Sequence, residues 1–169
     1  MERSTLAMFT SKLDELEVAW TQSSRRDFAD VISRVIELPA VASPLPFEGM
    51  SLPESLVNVN PSTDEIESAR TGITAVELAI ASYGTIVIQQ HNDWNEPISL
   101  LPPLHVAILR SSDIVPDMTA AFQQLSELMA DRATSVVMAT GPSATADMGA
   151  LVRGAHGPES VHVIILRDL

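Results

Sequence analysis

At 169 residues the chain has the length of one domain, enough to bury a core of its own without disulfides or a structural metal. It contains no cysteine, which excludes a disulfide framework, a thiolate nucleophile and cysteine ligation of an iron–sulfur cluster by these residues. Twenty-two Asp and Glu against ten Lys and Arg give a formal net charge of -12. With no basic run or stripe, such a surface argues against nucleic acid and anionic membrane as partners. The opening MERSTLAMFTSKLDELEV mixes charges with apolar residues. It has neither the basic-then-apolar order of a signal peptide nor the unbroken apolar run of a membrane span, so a cytoplasmic protein with no membrane span is expected.

The first quarter, residues 1–38, reads as helical. Leu6, Phe9, Leu13, Leu16 and Trp20 recur at three-to-four spacing and define one apolar face. Asp27 then stands as a cap before a second helix through Phe28, Val31, Ile32, Val35 and Ile36, which Pro39 stops. Residues 39–61 hold five prolines and Gly49, a composition that predicts an extended surface connector anchored by Val41, Phe47, Leu52, Leu56 and Val57.

Residues 72–169 have the texture of an α/β core. Strands are predicted at Ile73–Ile80 and Thr85–Gln89 on either side of Tyr83-Gly84, and at His105–Leu109, Val136–Ala139 and Val161–Leu166. Their apolar runs lack strict alternation, which fits a mostly parallel sheet flanked by helices on both faces. Met118, Ala121, Phe122, Leu125, Leu128 and Met129 mark an amphipathic helix over Asp117–Ala130. Strand, helix and strand across Leu104–Ala139 then predict a right-handed crossover within one sheet.

Chemistry concentrates in two loops between Thr140 and Pro158. Thr140 ends a strand; Gly141-Pro142 permits a tight turn that presents the hydroxyls of Ser143 and Thr145 and several backbone amides, with Asp147 placed to brace it. At the carboxyl end of a parallel strand such a nest suits a small anionic ligand. The same residues are also ordinary turn chemistry. The second loop carries His156 beside Gly157, open enough to act as acid, base or ligand near neutral pH, although a histidine there also commonly bonds its own loop. His91, with Asn92 and Asp93, is a weaker candidate on a solvated turn. No zinc spacing, Walker loop, dinucleotide fingerprint or nucleophile elbow occurs, so no metal and no intrinsic cofactor is expected.

TGPSATADMG followed by GAHGP and VHVIIL resembles the closing signature of the LUD domain family of lactate-utilisation proteins. GITAVELAIASYGTIVI and SLLPPLHVAIL resemble that family's preceding strands, so the likeness runs in order from Gly72 to Leu166. The resemblance implies a fold akin to the NagB, ribose-5-phosphate isomerase and CoA-transferase group. It also implies a part in oxidising L-lactate to pyruvate beside iron–sulfur and oxidoreductase partner subunits, with the clusters held by those partners. Two positions depart from the family's pattern: Ser82 and Tyr83 stand where a Glu and then a Thr are usual, and Ala144 where a basic residue often follows Gly-Pro-Ser. A carboxylate base and an anion-pairing cation are thereby missing, which argues against independent catalysis.

Three functions follow. The first is an accessory subunit of a lactate-oxidising system, binding a small anion or a partner at the Gly-Pro loops. The second, resting on fold analogy, is a stand-alone enzyme for a sugar phosphate or acyl thioester, with His156, Asp147 and Glu77 as its available acids or bases. The third is a structural or regulatory domain that has lost its ligand. The acidic surface, whose sole lysine is Lys12, also suits a salty, halophilic cytosol, because salt screens repulsion among carboxylates. Thermal melts should therefore rise from low to multimolar KCl; a flat or falling melting temperature would remove that reading.

Overall fold

The computed structural model describes residues 2–89, 95–130, 135–146 and 151–167. In chain order the elements are α1 (Glu2–Glu15), β1 (Ala19–Ser23), α2 (Phe28–Val35), β2 (Ala40–Ala42), β3 (Val57–Asn58), α3 (Thr63–Ser68), β4 (Thr71–Ala75), β5 (Leu78–Ile80) and β6 (Thr85–Gln89). There follow α4 (Asn95–Leu100), β7 (Leu104–Arg110), β8 (Ile114–Val115), α5 (Met118–Ala130), β9 (Val136–Thr140), β10 (Ala144–Thr145), β11 (Val152–Arg153) and β12 (Ser160–Leu166).

The expected α/β fold with a mostly parallel sheet is what forms. Six strands in the order β1-β12-β7-β4-β2-β3 make a sheet in which every pair is parallel. A second sheet, β8-β5-β6-β9, is mixed: β6 runs antiparallel to both β5 and β9. Both faces of the large sheet are covered, which is why its strands are apolar throughout rather than alternating. On one face Ile73, Val106, Ile108, Ile164 and Leu166 pack with Phe28 and Ile32 of α2 and with Phe47, Leu52 and Val57. On the other, Ala107, Leu109, Val163 and Ile165 meet Phe9 and Leu13 of α1 together with Ala79, Ile86 and Ile88 of the small sheet. The far face of that small sheet is closed by Ala121 and Leu125 of α5. Each fully buried aliphatic side chain contributes about 1.5–3 kcal/mol to such a core.

Five sequence-based expectations change. Trp20 lies on a strand, not on the first helix: α1 ends at Glu15, and Glu17 takes a left-handed φ of 56° while the Val18 amide donates to the Leu13 carbonyl at 2.9 Å. That reversal folds β1 back, so the Trp20 indole still reaches α1 and donates to Asp14 Oδ1 at 2.8 Å. The helical spacing was therefore met by a contact in space. The residues read as connector supply β2 and β3, short strands that gain their stability from a buried parallel neighbour rather than from propensity. The Ile73–Ile80 run divides at Val76, whose amide donates to the Ile108 carbonyl at 2.8 Å, and its two halves join different sheets. Val136–Ala139 joins the small sheet as β9, so the crossover through α5 begins at β8, not at β7. On α5, Phe122 faces outward at 58% exposure instead of joining the core.

Gly72 lets α4 lie directly on the large sheet: a Cβ there would stand 1.8 Å from the Ile98 carbonyl oxygen. Beside it on β7, His105 is buried and shares a 2.9 Å hydrogen bond between Nε2 and Thr74 Oγ1. Among the described residues no helix is long and apolar enough to cross a membrane.

Burial pushes the His105 pKa down from 6.5 to about 4. The folded protein keeps this imidazole neutral down to about pH 4, whereas the unfolded chain takes up its proton near 6.5. His105's contribution is complete above about pH 6.5 and is lost as the pH falls toward 4. Denaturant titrations of His105→Gln, which retains a partner for Thr74, should show an acid-limb loss smaller than that of the unmodified chain by about 3 kcal/mol. Parallel stability profiles would contradict this assignment.

Candidate functional site

The two Gly/Pro loops are brought together by β10 and β11, which pair antiparallel with Ala144 opposite Arg153 and Thr145 opposite Val152. β9 ends at Thr140, whose hydroxyl lies 2.7 Å from that of Thr85 on β6. Gly141 then turns the chain with φ at 72°, a conformation that a side chain would disfavour, and sits against Leu16 and Val18 after α1.

Ser143 ties the loops to each other. Its amide donates to the Pro158 carbonyl at 3.0 Å, its carbonyl accepts from the Gly154 amide at 3.0 Å, and its hydroxyl accepts from the His156 amide at 3.3 Å. Gly157 packs close by, with room for a Cβ only 3.2 Å from Ser143 Cβ. Arg153 reaches back to Glu17 at 2.5 Å, an exposed pair that locates the hairpin more than it stabilises it.

The position of this hairpin differs from the sequence-based expectation. Among the described residues β9 is an edge strand paired only with antiparallel β6, so Thr140 does not end a strand of the parallel sheet. Pro158 leads straight into β12, and Gly157 neighbours Leu100 just before β7. The loops therefore lie at the amino edge of the large sheet, opposite the edge where parallel strands usually present ligands. Several amides counted on for an anion are already spent, since those of Ser143, Gly154 and His156 all bond within the hairpin.

Thr140, Gly141, Pro142, Ser143, Thr145, His156 and Gly157 thus fall in one assembly, with His156 exposed to solvent. Asp147 lies outside the described residues, as do His91, Asn92 and Asp93. Glu77 is not brought to His156: it follows β4 at the carboxyl edge and donates its amide to the Val87 carbonyl at 2.8 Å. Ser82 donates its amide to the Pro116 carbonyl at 3.1 Å, and its hydroxyl is buried with no partner among the described residues. Tyr83 projects into solvent at 54% exposure. Met138 on β9 and Leu151 and Val152 on the hairpin are exposed as well. Among the described residues no group of three or more His, Asp or Glu is placed to hold a metal.

A buried parallel sheet backed by a mixed sheet, with a Gly-Pro hairpin at its amino edge, defines an α/β domain of a specific kind. The sequence model of the LUD domain matches residues 6–166, and the chain belongs to that family. It is similar to the Lactate utilization protein C of Macrococcus caseolyticus, 38% identical over 106 residues that cover 60% of this chain and 46% of the relative. The protein of that name from Bacillus subtilis is 38% identical over 106 residues, covering 60% and 44%, and that of an Exiguobacterium species 40% over 105 residues, covering 60% and 46%. The match thus spans a little under half the length of these relatives. The crystal structure of a DUF162 family protein from Deinococcus radiodurans superimposes with a TM-score of 0.78, covers 98% of both chains and shares 19% of residues, which supports the fold.

Ser143→Ala removes one acceptor while leaving the two backbone bonds of that residue in place. It should cost about 1 kcal/mol and speed hydrogen exchange selectively at the His156 amide. Unchanged protection at His156 would show that the hydroxyl does not hold the second loop.

Proposed function

We propose that this protein is an accessory subunit of an L-lactate utilisation system, and that it works by docking to partners that carry the redox centres. Its similarity to proteins named Lactate utilization protein C carries this reading. Taking two electrons from a hydroxy acid needs an acceptor such as a flavin, a nicotinamide or an iron–sulfur cluster. These 169 residues include no cysteine, so thiolate-held clusters belong to iron–sulfur and oxidoreductase partners.

The geometry favours the hairpin as the docking face over its use as an anion cradle. Among the described residues β9 has one unpaired side, the hairpin beside it exposes Leu151 at 66% and Val152 at 45%, and three of its amides are internally bonded. An unpaired strand edge with apolar neighbours suits a protein surface. A small anion would have to compete with bonds the loop already makes.

Purified alone, the protein should not reduce a dye in the presence of lactate. A deletion strain should grow poorly on lactate and be rescued by the native gene but not by Leu151→Glu/Val152→Glu. Dye reduction by the isolated chain, or normal growth of the deletion strain with no paralogue expressed, would overturn the proposal. Full rescue by the double variant would displace the docking face while leaving the accessory role in place.

A further inference from the structure

At the opposite, carboxyl edge of the large sheet, a half-open cavity of about 260 Å³ is lined by Ala42, Ser43, Pro44, Val59, Asn60, Pro61 and Ile98. We propose that this cavity is a binding site for a small uncharged molecule with an apolar body and a carboxamide-like donor–acceptor group. The inference is independent of the hairpin and of the lactate reading.

Its place in the fold is the first argument. The sheet order places β3 on one side of β2, while β4, β7 and β12 succeed one another in the opposite direction. The cavity lies beyond the carboxyl ends of β2 and β3, one strand from the reversal of winding between β2 and β4, on the edge of the sheet at which open α/β folds take ligands. Ser43 follows β2, is buried, and is fixed beside β4 by its amide, which donates to the Ile73 carbonyl at 3.0 Å. Val59, Asn60 and Pro61 follow β3 on the other flank, and Ile98 of α4 closes one wall.

The lining supplies the second argument. Its size equals the liquid volume of roughly nine waters at about 30 Å³ each, enough for a compact single-ring molecule. Its walls are alanine, proline, valine and isoleucine, and its polar side chains are the Ser43 hydroxyl and the Asn60 amide. Neither of these bonds to another described residue. An amide side chain offers a donor and an acceptor side by side, and the hydroxyl adds either role. Among the described residues no acidic or basic side chain lines the cavity. A charged ligand would be desolvated there without a counter-charge, which disfavours lactate and other carboxylates.

Benzamide and its anionic counterpart benzoate form the test pair, titrated into the isotopically labelled protein with backbone amide shifts as the readout. Benzamide should give saturable shifts at Ser43 and Asn60, and benzoate should bind at least about tenfold more weakly. Asn60→Ala, at an exposed position, should weaken benzamide about tenfold, and Ser43→Ala should weaken it in the same direction, both with unchanged melting temperature. Absence of saturable shifts at these residues, equal binding of benzoate, or undiminished affinity in both variants would each overturn the proposal. Shifts confined to Gly141, Ser143 and His156 would overturn it as well and return attention to the hairpin.

Discussion

The structure turns on the insertion of β12 between β1 and β7. Ala19 to Ser23 pair with His162 to Leu166 on one side, and Leu104 to Arg110 pair with Ser160 to Leu166 on the other, all in parallel. Because all three strands run the same way, the chain must approach β12 from the amino edge. β9 ends in the other sheet, so a segment has to carry the backbone from one sheet to the other. The Gly141 turn, the short β10 and β11 ladder and the Ser143 bonds are that segment. Their geometry follows first from topology, and this is why so many of their polar groups are turned inward.

The same constraint organises the core. A central strand buried on both faces excludes water from polar groups, so any that remain must find partners in place. His105 meets Thr74 on one face, and on the other Thr21 Oγ1 lies 2.9 Å from Nε2 of His162. The His162 ring is also shifted down by burial, less completely enclosed than His105. Both histidines are explained by packing, whereas His156, the histidine that sequence placed at the site, is the exposed one.

Much of the large sheet was legible in the amino-acid pattern, for the reason that burial on two faces leaves unbroken apolar runs. β7 and β12 of that sheet, and β6 of the small one, fall within a residue or so of where those runs begin and end. β1 to β3 were not legible. Ala19–Ser23 carries only one large apolar residue, and Ala40–Ala42 and Val57–Asn58 are too short for any period to show; their strand character comes from their neighbours. The break at Val76 was hidden too, because a chain that leaves one sheet for another keeps its hydrophobicity as long as both are buried. The meeting of the two Gly/Pro loops could be read from their small separation. Their edge of the sheet could not, since that depended on β9 joining the mixed sheet. Ser43 and Asn60 escaped notice because prolines made residues 39–61 look like surface connection, and no local signal marks a residue that becomes the rim of a cavity.

The pairing of β1 with β12 also has a history within each molecule. It joins the earliest strand to the last, so these contacts bridge almost the whole described sequence, and long loops must close before they form. Assembly of this kind is slow compared with local helix packing. While a ribosome is still making residues 160–166, β1 and β7 have no strand between them, and two parallel edges, that of β7 strongly apolar, stand open. During that interval the nascent domain is exposed to mispairing with other chains, and only completion of β12 turns two hazardous edges into the middle of a sheet.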